Sequence, residues 1–385
     1  MRGLHYEKWD ADRLSGIPGY DSHIVHALVD EDGNILSGIF EHRLGEGLPT
    51  KKTGHVIRSC GGWSFNWKDA NRAADTEIFT MGFNRAKAMS RKAAAAGEPI
   101  AGYVGGAKTV NFPRNMPVQV FTDRKVCKEY LHVFGGELLP RVPHYLTGGD
   151  VGLEEWHLDY LSEHTPPPEQ VGKCNHNALT AHGVVVGTKA LMHMHTYYRN
   201  LSEMTFAIQG GAGKVGRCIV AELRRHGVSN IVIADTNKDN IASLVKEHDC
   251  IRVVPPEKIH TGYADVFMPC AILGSITEQV AHEMSACMIC GCENDPLSTP
   301  QVGEILHRRY IAYASHYFIN GGGLMTIIGV PVLGMSYEAV TNEMISKIGN
   351  RLAIIYRESE RTNTPASVVA DAMVDVCVAK LSLPE

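Results

Sequence analysis

Apolar positions along this chain fall into two kinds of run, short continuous stretches of strand length and longer stretches in which they recur at helical spacing, and the mixture predicts an α/β protein. Residues 23–29 and 34–40 read as paired strands around Asp32-Gly33, a favoured turn dipeptide. A helix is predicted from about residue 69 to Gly97, a natural C-terminal stop, carrying Met81, Phe83, Ala86, Met89 and Ser90 towards Lys92. Residues 118–121 and 145–147 read as further strands around a helix over 124–134. Pro166-Pro167-Pro168 marks a rigid connection, and from Asn177 a helix leads into the second half. There residues 205–209 form a buried strand, a helical stretch ends at Gly227, and residues 229–234 form a second strand. Two helices, 346–361 and 364–379, close the chain.

Composition narrows the class. With 385 residues, 44% hydrophobic and a formal charge of -5, the chain suits about two domains with substantial cores. No basic block points to nucleic acid, and the longest apolar run, residues 324–335, is broken by Gly329, Pro331 and Gly334, unlike a membrane span. The start of the chain leads into charged residues without a secretory apolar segment, and its ten cysteines are scattered, so reduced thiols in the cytoplasm are expected. Cys287-Met288-Ile289-Cys290-Gly291-Cys292 resembles half of a metal site but has no partner motif at zinc-finger spacing and reads as an apolar buried strand over 287–292, so no metal is expected, and His193 and His195 point to different helical faces.

Between the two predicted strands of the second half stands Gly211-Ala212-Gly213-Lys214-Val215-Gly216, and the second strand ends in Asp235, nineteen residues beyond Gly216. Strand, glycine turn, helix, strand and terminal acid at this spacing form a dinucleotide fingerprint. The glycines let the backbone approach a pyrophosphate, and the helix N-terminus supplies donors. Asp235 would accept from ribose hydroxyls, which favours NAD because a 2'-phosphate would be repelled; the nearby Lys238 keeps the other choice open. In the first half, small residues bring two lysines, Lys92 and Lys108, close in sequence, through an alanine run and Gly105-Gly106-Ala107. Two ammonium groups in one closed site disfavour each other's protons, so one of them titrates well below ~10.4 and becomes a usable base. The alternative is a pair of solvated lysines.

With these features in view, the chain resembles the amino acid dehydrogenases of the leucine, valine and phenylalanine type, from about Gly61 to the C-terminus. The resemblance is carried by the two lysines, Gly149-Asp150-Val151-Gly152, Ala207-Ile208-Gln209-Gly210 before the glycine turn, Ala234-Asp235-Thr236-Asn237-Lys238, Met268-Pro269-Cys270-Ala271, and Tyr317-Phe318-Ile319-Asn320-Gly321-Gly322. It implies an α/β fold of two domains separated by a cleft: a substrate and oligomerisation domain over 1–177, to which helices 346–385 return, and a Rossmann-type NAD-binding domain over 178–345. By the same resemblance Lys92 grips the substrate carboxylate, Lys108 accepts and returns the proton of the attacking water, and Asp150 handles protons on the amino group and the carbinolamine. Gly61 and Gly106 offer contact to the substrate. Thr180, Gly211, Gly213, Lys214, Val215, Gly216, Asp235, Cys270 and Ala271 hold NAD, and Asn294 and Asn320 position substrate or nicotinamide, with strand-end capping as their other reading.

Side-chain preference rests on few positions. Gly148 stands where leucine-type enzymes carry a bulkier alanine, and Leu324 follows the glycine run in the manner of phenylalanine-type members, with Ile327 and Cys60 as further wall candidates. The chain departs from the family pattern at residues 101–104, which look inserted, and at Gly105-Gly106-Ala107-Lys108, Cys60-Gly61-Gly62-Trp63, Asp295 and residues 173–177. The expected activity is NAD-dependent oxidative deamination of an L-amino acid with a bulky apolar or aromatic side chain to the 2-oxo acid and ammonium, reversible by reductive amination, in a homo-oligomer. A leucine or valine preference, and a non-catalytic relative that binds NAD and amino acid, are the alternatives.

Overall fold

The computed structural model describes residues 3–18, 20, 23–42, 59–64, 74–97, 100–102, 106–142, 145–149, 153–164, 175–197, 200–271 and 274–381. The chain separates into two compact units, one of Met1–Cys174 with Cys377–Glu385, the other of Asn175–Val376.

The first unit is built on a six-stranded sheet. Its strands are β1 (His5–Trp9), β2 (His23–Val29), β3 (Ile35–His42), β4 (Ser59–Ser64), β5 (Gly106–Asn111) and β6 (Tyr145–Gly149), in the order β1-β2-β3-β5-β4-β6. Strands β1, β2, β3 and β5 pair antiparallel, whereas β5, β4 and β6 run parallel. Alternation along the strands sends two sets of side chains to opposite faces. Val25, Phe40, Val110 and Phe112 pack with Ile78, Phe79, Phe83 and Ala86 of the Asp75–Ala96 helix. Leu28, Ile39 and Ala107 pack with Tyr130, Leu131, Leu158 and Leu161 of the Arg124–Val133 and Glu155–His164 helices. The Asp75–Ala96 helix opens with Glu77 reaching back to the Ala74 N–H at 3.2 Å, and stops at Gly97, whose φ of +68° favours glycine.

The second unit carries six parallel strands: β7 (Thr205–Gln209), β8 (Asn230–Ala234), β9 (Ile251–Val253), β10 (Val266–Pro269), β11 (Met288–Ile289) and β12 (Ala312–Tyr313). Their order, β12-β11-β10-β7-β8-β9, is the doubly wound dinucleotide-binding arrangement, with β7 and β10 flanking the point where strand order reverses.

Three expectations about elements are corrected. Residues 118–121 are not a strand: a short helix, Gln119–Thr122, runs there and ends at Asp123, whose carboxylate accepts from Lys125 N and Val126 N to start the next helix. The strand expected over 287–292 shrinks to Met288–Ile289, because beyond it Gly291 presses on the backbone of β10, where a Cβ would stand 2.2 Å from the Pro269 carbonyl oxygen. The Lys347–Thr362 helix, expected to return to the first domain, packs within the second unit against the His176–His195 helix. Glycines decide this contact. Gly183 meets Ile348, Gly187 meets Leu352 and Gly349 meets Ala190, each so closely that a Cβ on the glycine would fall 2.7 to 3.0 Å from its neighbour. Only the end of the Ala366–Leu381 helix, from Cys377, belongs to the first unit.

Candidate active site

In the first unit the two lysines are both buried, Lys92 at 8% exposure and Lys108 at 7%. Lys108 stands opposite Phe40 in the β3–β5 ladder, so it shares the sheet face that the Asp75–Ala96 helix covers, and Lys92 lies on that helix. The parallel rungs Cys60 to Gly106, Trp63 to Thr109, Gly61 to Thr147 and Gly62 to Gly148 bring Gly61, Gly106 and Gly148 onto neighbouring strands around Lys108. Gly148 is buried. Asp150 lies outside the described residues, as does the segment 103–105; the side chain of Cys60 is likewise not described.

What joins helix to strand is Ser90, two residues before Lys92. The Gly106 N–H donates to Ser90 Oγ at 2.7 Å, and Ser90 Oγ shares a hydrogen bond of 2.9 Å with His42 Nδ1. A Cβ on Gly106 would stand 2.0 Å from the Ala86 carbonyl oxygen, so only glycine permits this approach. Burial, and then the neighbouring His23, Lys87 and Arg91, pull the His42 imidazole down from 6.5 to about 3. His42 is therefore neutral at ordinary pH. An unfolded histidine takes up a proton near 6.5, so between that pH and about 3 the folded unit binds fewer protons than the unfolded chain, and stability rises with pH across the window. Melting temperature is accordingly expected to fall as pH drops below about 6.5, and His42→Gln to flatten that slope in scanning calorimetry. An identical slope in the variant would exclude His42 as its source.

In the second unit the expected cofactor residues gather at the carboxyl ends of the parallel strands. Gly210 to Gly213 follow β7, Asp235 follows β8, Cys270 and Ala271 follow β10, and Asn294 lies beyond β11. The turn is tight. Gly210 has a φ of +70°, and a Cβ on Gly216 would stand 2.2 Å from the Gly210 carbonyl oxygen. Gly213 precedes the Lys214–Arg225 helix, whose first turn includes Val215, and no side chain caps its N-terminus. Asp235 is fixed to this turn: Oδ2 accepts from Ala212 N at 3.1 Å and Oδ1 from Asn237 N at 3.0 Å, and each oxygen keeps a further lone pair.

Two side-chain oxygens of this unit are buried without a donor. Asn320, 4% exposed, donates through Nδ2 to the Cys292 carbonyl and to Asn294 Oδ1, both at 3.0 Å, and its own Oδ1 has no hydrogen-bond partner. Gln209 Oε1, at the end of β7, is in the same condition. Leaving such an atom unpaired costs about 1–3 kcal/mol. A carboxamide N–H supplies what they lack, so the residues fit a nicotinamide dinucleotide. Thr180 is buried with its hydroxyl donating to the His176 carbonyl at 2.8 Å, and its Oγ1 lies where a Cβ on Gly323 would meet it at 2.6 Å. Leu324 and Ile327 stand three apart on the Gly322–Gly329 helix and share one face of it.

Sequence reasoning missed the Ser90–His42 contact, the orphaned Gln209 and a buried acid, Glu293. The first two leave no local signal. Glu293 leaves one: a lone acid closing an apolar stretch. Burial pushes the Cys290 thiol up to about 12, so it is protonated and inert, and among the described residues no group of three or more His, Cys, Asp or Glu stands in metal-holding geometry. Among the described residues, no helix is long and apolar enough to cross a membrane.

A doubly wound parallel unit with a glycine turn and terminal acid, in one chain with an α/β unit that buries two lysines, defines a two-domain oxidoreductase of Rossmann type. The chain belongs to the Glutamate/Leucine/Phenylalanine/Valine dehydrogenase family, whose profile matches residues 172–378. It is 28% identical to a leucine dehydrogenase of Geobacillus stearothermophilus over 319 residues, 81% of this chain and 80% of that one. It is 27% identical to a valine dehydrogenase of Streptomyces albus over 310 residues, 79% of this chain and 81% of the relative. The fold is similar to the crystal structure of L-tryptophan dehydrogenase from Nostoc punctiforme, with a TM-score of 0.64 at 20% identity, covering 90% of this chain and 92% of that chain. The protein is an amino acid dehydrogenase, an oxidoreductase acting on CH–NH2 donors, and its family implies a nicotinamide cofactor.

Proposed function

We propose that this enzyme carries out NAD-dependent oxidative deamination of an L-amino acid with a bulky apolar or aromatic side chain, giving the 2-oxo acid and ammonium, and that it runs in reverse as reductive amination in a homo-oligomer. The observation that carries the reading is the buried Lys108, set on the sheet face beneath the helix that bears Lys92. A lysine amine, in its neutral form, can act as a base. Lys92 binds the substrate carboxylate. When bound, the nicotinamide accepts hydride from the substrate α-carbon. Lys108 then takes the proton of the water that attacks the iminium carbon and returns it as the carbinolamine collapses, while Asp150 moves the proton on nitrogen. Each such transfer contributes roughly 10²- to 10⁴-fold. Gly106 stays in place through Ser90 and offers its backbone to the substrate.

NAD is the reading for the cofactor because the Asp235 carboxylate, held at the end of β8 by Ala212 N and Asn237 N, repels a 2'-phosphate. Gly213, Lys214, Val215 and Gly216 take the pyrophosphate, Cys270 and Ala271 the wall beside the nicotinamide, and Asn320, Asn294 and Thr180 its carboxamide end. The side-chain preference rests on the resemblance at Gly148, which is buried and carries no side chain, and at Leu324 and Ile327, which share one face of the Gly322–Gly329 helix. A leucine or valine preference is the second reading, favoured by the names of the sequence relatives.

NADH formation with NAD and single L-amino acids, and the reverse reaction on matching 2-oxo acids with ammonium, test both. Phenylalanine or tryptophan should exceed leucine and valine in kcat/KM. Leucine or valine winning would replace the pocket reading and keep the chemistry. Silence across the panel with NADH binding intact would favour a non-catalytic relative.

A further inference from the structure

Glu293 lies directly before Asn294, is 3% exposed, and belongs to no step of the chemistry above. Its backbone N–H donates to the Pro269 carbonyl at 2.9 Å, which ties the segment after β11 to the end of β10. Its side chain then reaches into the turn that follows β10. Oε1 accepts from Ser275 N at 2.9 Å, Oε2 from Ser275 Oγ at 2.6 Å, and the backbone N–H of Ala271 donates to the carboxylate as well. One carboxylate therefore gathers three donors from the segment that includes Cys270 and Ala271, beside the reversal of strand order.

No cation pairs with Glu293 among the described residues, and Asp295 opposes its charge while turning its own Oδ1 to His316 Nε2 at 3.1 Å. Burial in that setting raises the carboxyl from 4.5 to about 7 against the pull of Ser275 and Ala271. Packing alone does not call for an ionisable group here, since an uncharged residue of the same size fills the space without a buried charge.

We propose that Glu293 is a positioning residue for the cofactor, whose carboxylate holds Ala271 and Ser275, and through the chain Asn294, in the arrangement that receives the nicotinamide end of the dinucleotide. The proposal rests on the reading of Cys270, Ala271 and Asn294 as cofactor residues. Ionised, Glu293 accepts from all three donors. Protonated, it gives one acceptor site to its own proton and its hold on Ala271 and Ser275 weakens. Cofactor affinity then depends on pH through a group that touches neither substrate nor nicotinamide.

The test is NADH dissociation measured by fluorescence titration from about pH 6 to 9, on wild type, Glu293→Gln and Ser275→Ala. Wild type is expected to bind NADH up to about tenfold more weakly at the acid end, with a midpoint near 7. Glu293→Gln is expected to abolish that step, and Ser275→Ala, which removes a donor from the ionised form, to move the midpoint to higher pH. A readout without cofactor accompanies it. A carboxyl raised from 4.5 to about 7 makes the folded unit bind more protons across that window, so wild-type stability falls as pH rises through it, and Glu293→Gln removes the fall. A wild type that binds no NADH would overturn the cofactor reading and this proposal together. Wild-type binding with the same pH profile in both variants would overturn the role of Glu293 alone.

Discussion

Lys108→Ala is expected to lower kcat by at least 10²- to 10⁴-fold while leaving the NADH dissociation constant nearly unchanged. The two effects separate because the lysine and the dinucleotide residues belong to different units of the chain, Lys108 to the first and the glycine turn with Asp235 to the second. Lys108 sits in a strand whose neighbours in the ladder, Ala107 and Thr109, are fully buried, so the alanine variant keeps a strand-compatible residue among packed partners. The step lost is proton transfer. Lys108→Arg keeps the positive charge but provides a group that does not deprotonate, and it is expected to be equally impaired. Steady-state turnover at saturating NAD and substrate, read at the NADH absorbance, checks the loss, and wild-type turnover in either variant would remove Lys108 from the mechanism.

Gly216→Val is expected to have the second large effect, this time on folding and cofactor affinity together. Any Cβ at residue 216 meets the Gly210 carbonyl oxygen at 2.2 Å and the Gly211 Cα at 2.8 Å, both backbone atoms that cannot swing aside. The helix must move off the end of β7. Overpacking of this kind costs about 1–3 kcal/mol or more, and it opens the turn proposed to take the pyrophosphate. Denaturant unfolding should show the stability loss, and NADH titration a fall in affinity of about 10²-fold or more, because the anion loses a preformed site. Normal NADH binding by Gly216→Val would show that the turn does not hold the dinucleotide.

Glu293 sets stability against binding. A carboxyl held at about 7 where the unfolded chain titrates at 4.5 lowers stability by about 3 kcal/mol above neutral pH. Glu293→Gln is thus an expected stabilising change that costs affinity, a trade found where a site is kept strained for use.

Where local pattern was decisive, sequence and structure agree closely. Residues 205–209 were legible as a buried strand because the apolar triad Phe206-Ala207-Ile208 leads through Gln209 into glycines, and β7 has those same bounds. Residues 23–29 were legible for a like reason, with a turn dipeptide to close the pair. The error at 118–121 came from reading Val118, Val120 and Phe121 as strand formers. Pro117 and the capping Asp123 confine that stretch to a helical turn, and propensity yields to the caps on either side.

The amino-acid sequence by itself determined the class of fold, the glycine turn with its terminal acid, and the candidate lysines, since each depends on residues near one another in the chain or on a period that a strand or helix imposes. Tertiary structure decided the rest. That Gly106 rests on Ser90 and Ser90 on His42 joins residues 16 and 48 positions apart, which no local pattern links. That Glu293 reaches Ser275 follows from the register of β10 with β11 and from the close approach at Gly291. The placement of the Lys347–Thr362 helix follows from glycines on the His176–His195 helix that accept Ile348 and Leu352. An amphipathic stretch announces that it must bury a face, but the partner is chosen by shape, and shape exists only once the chain has folded.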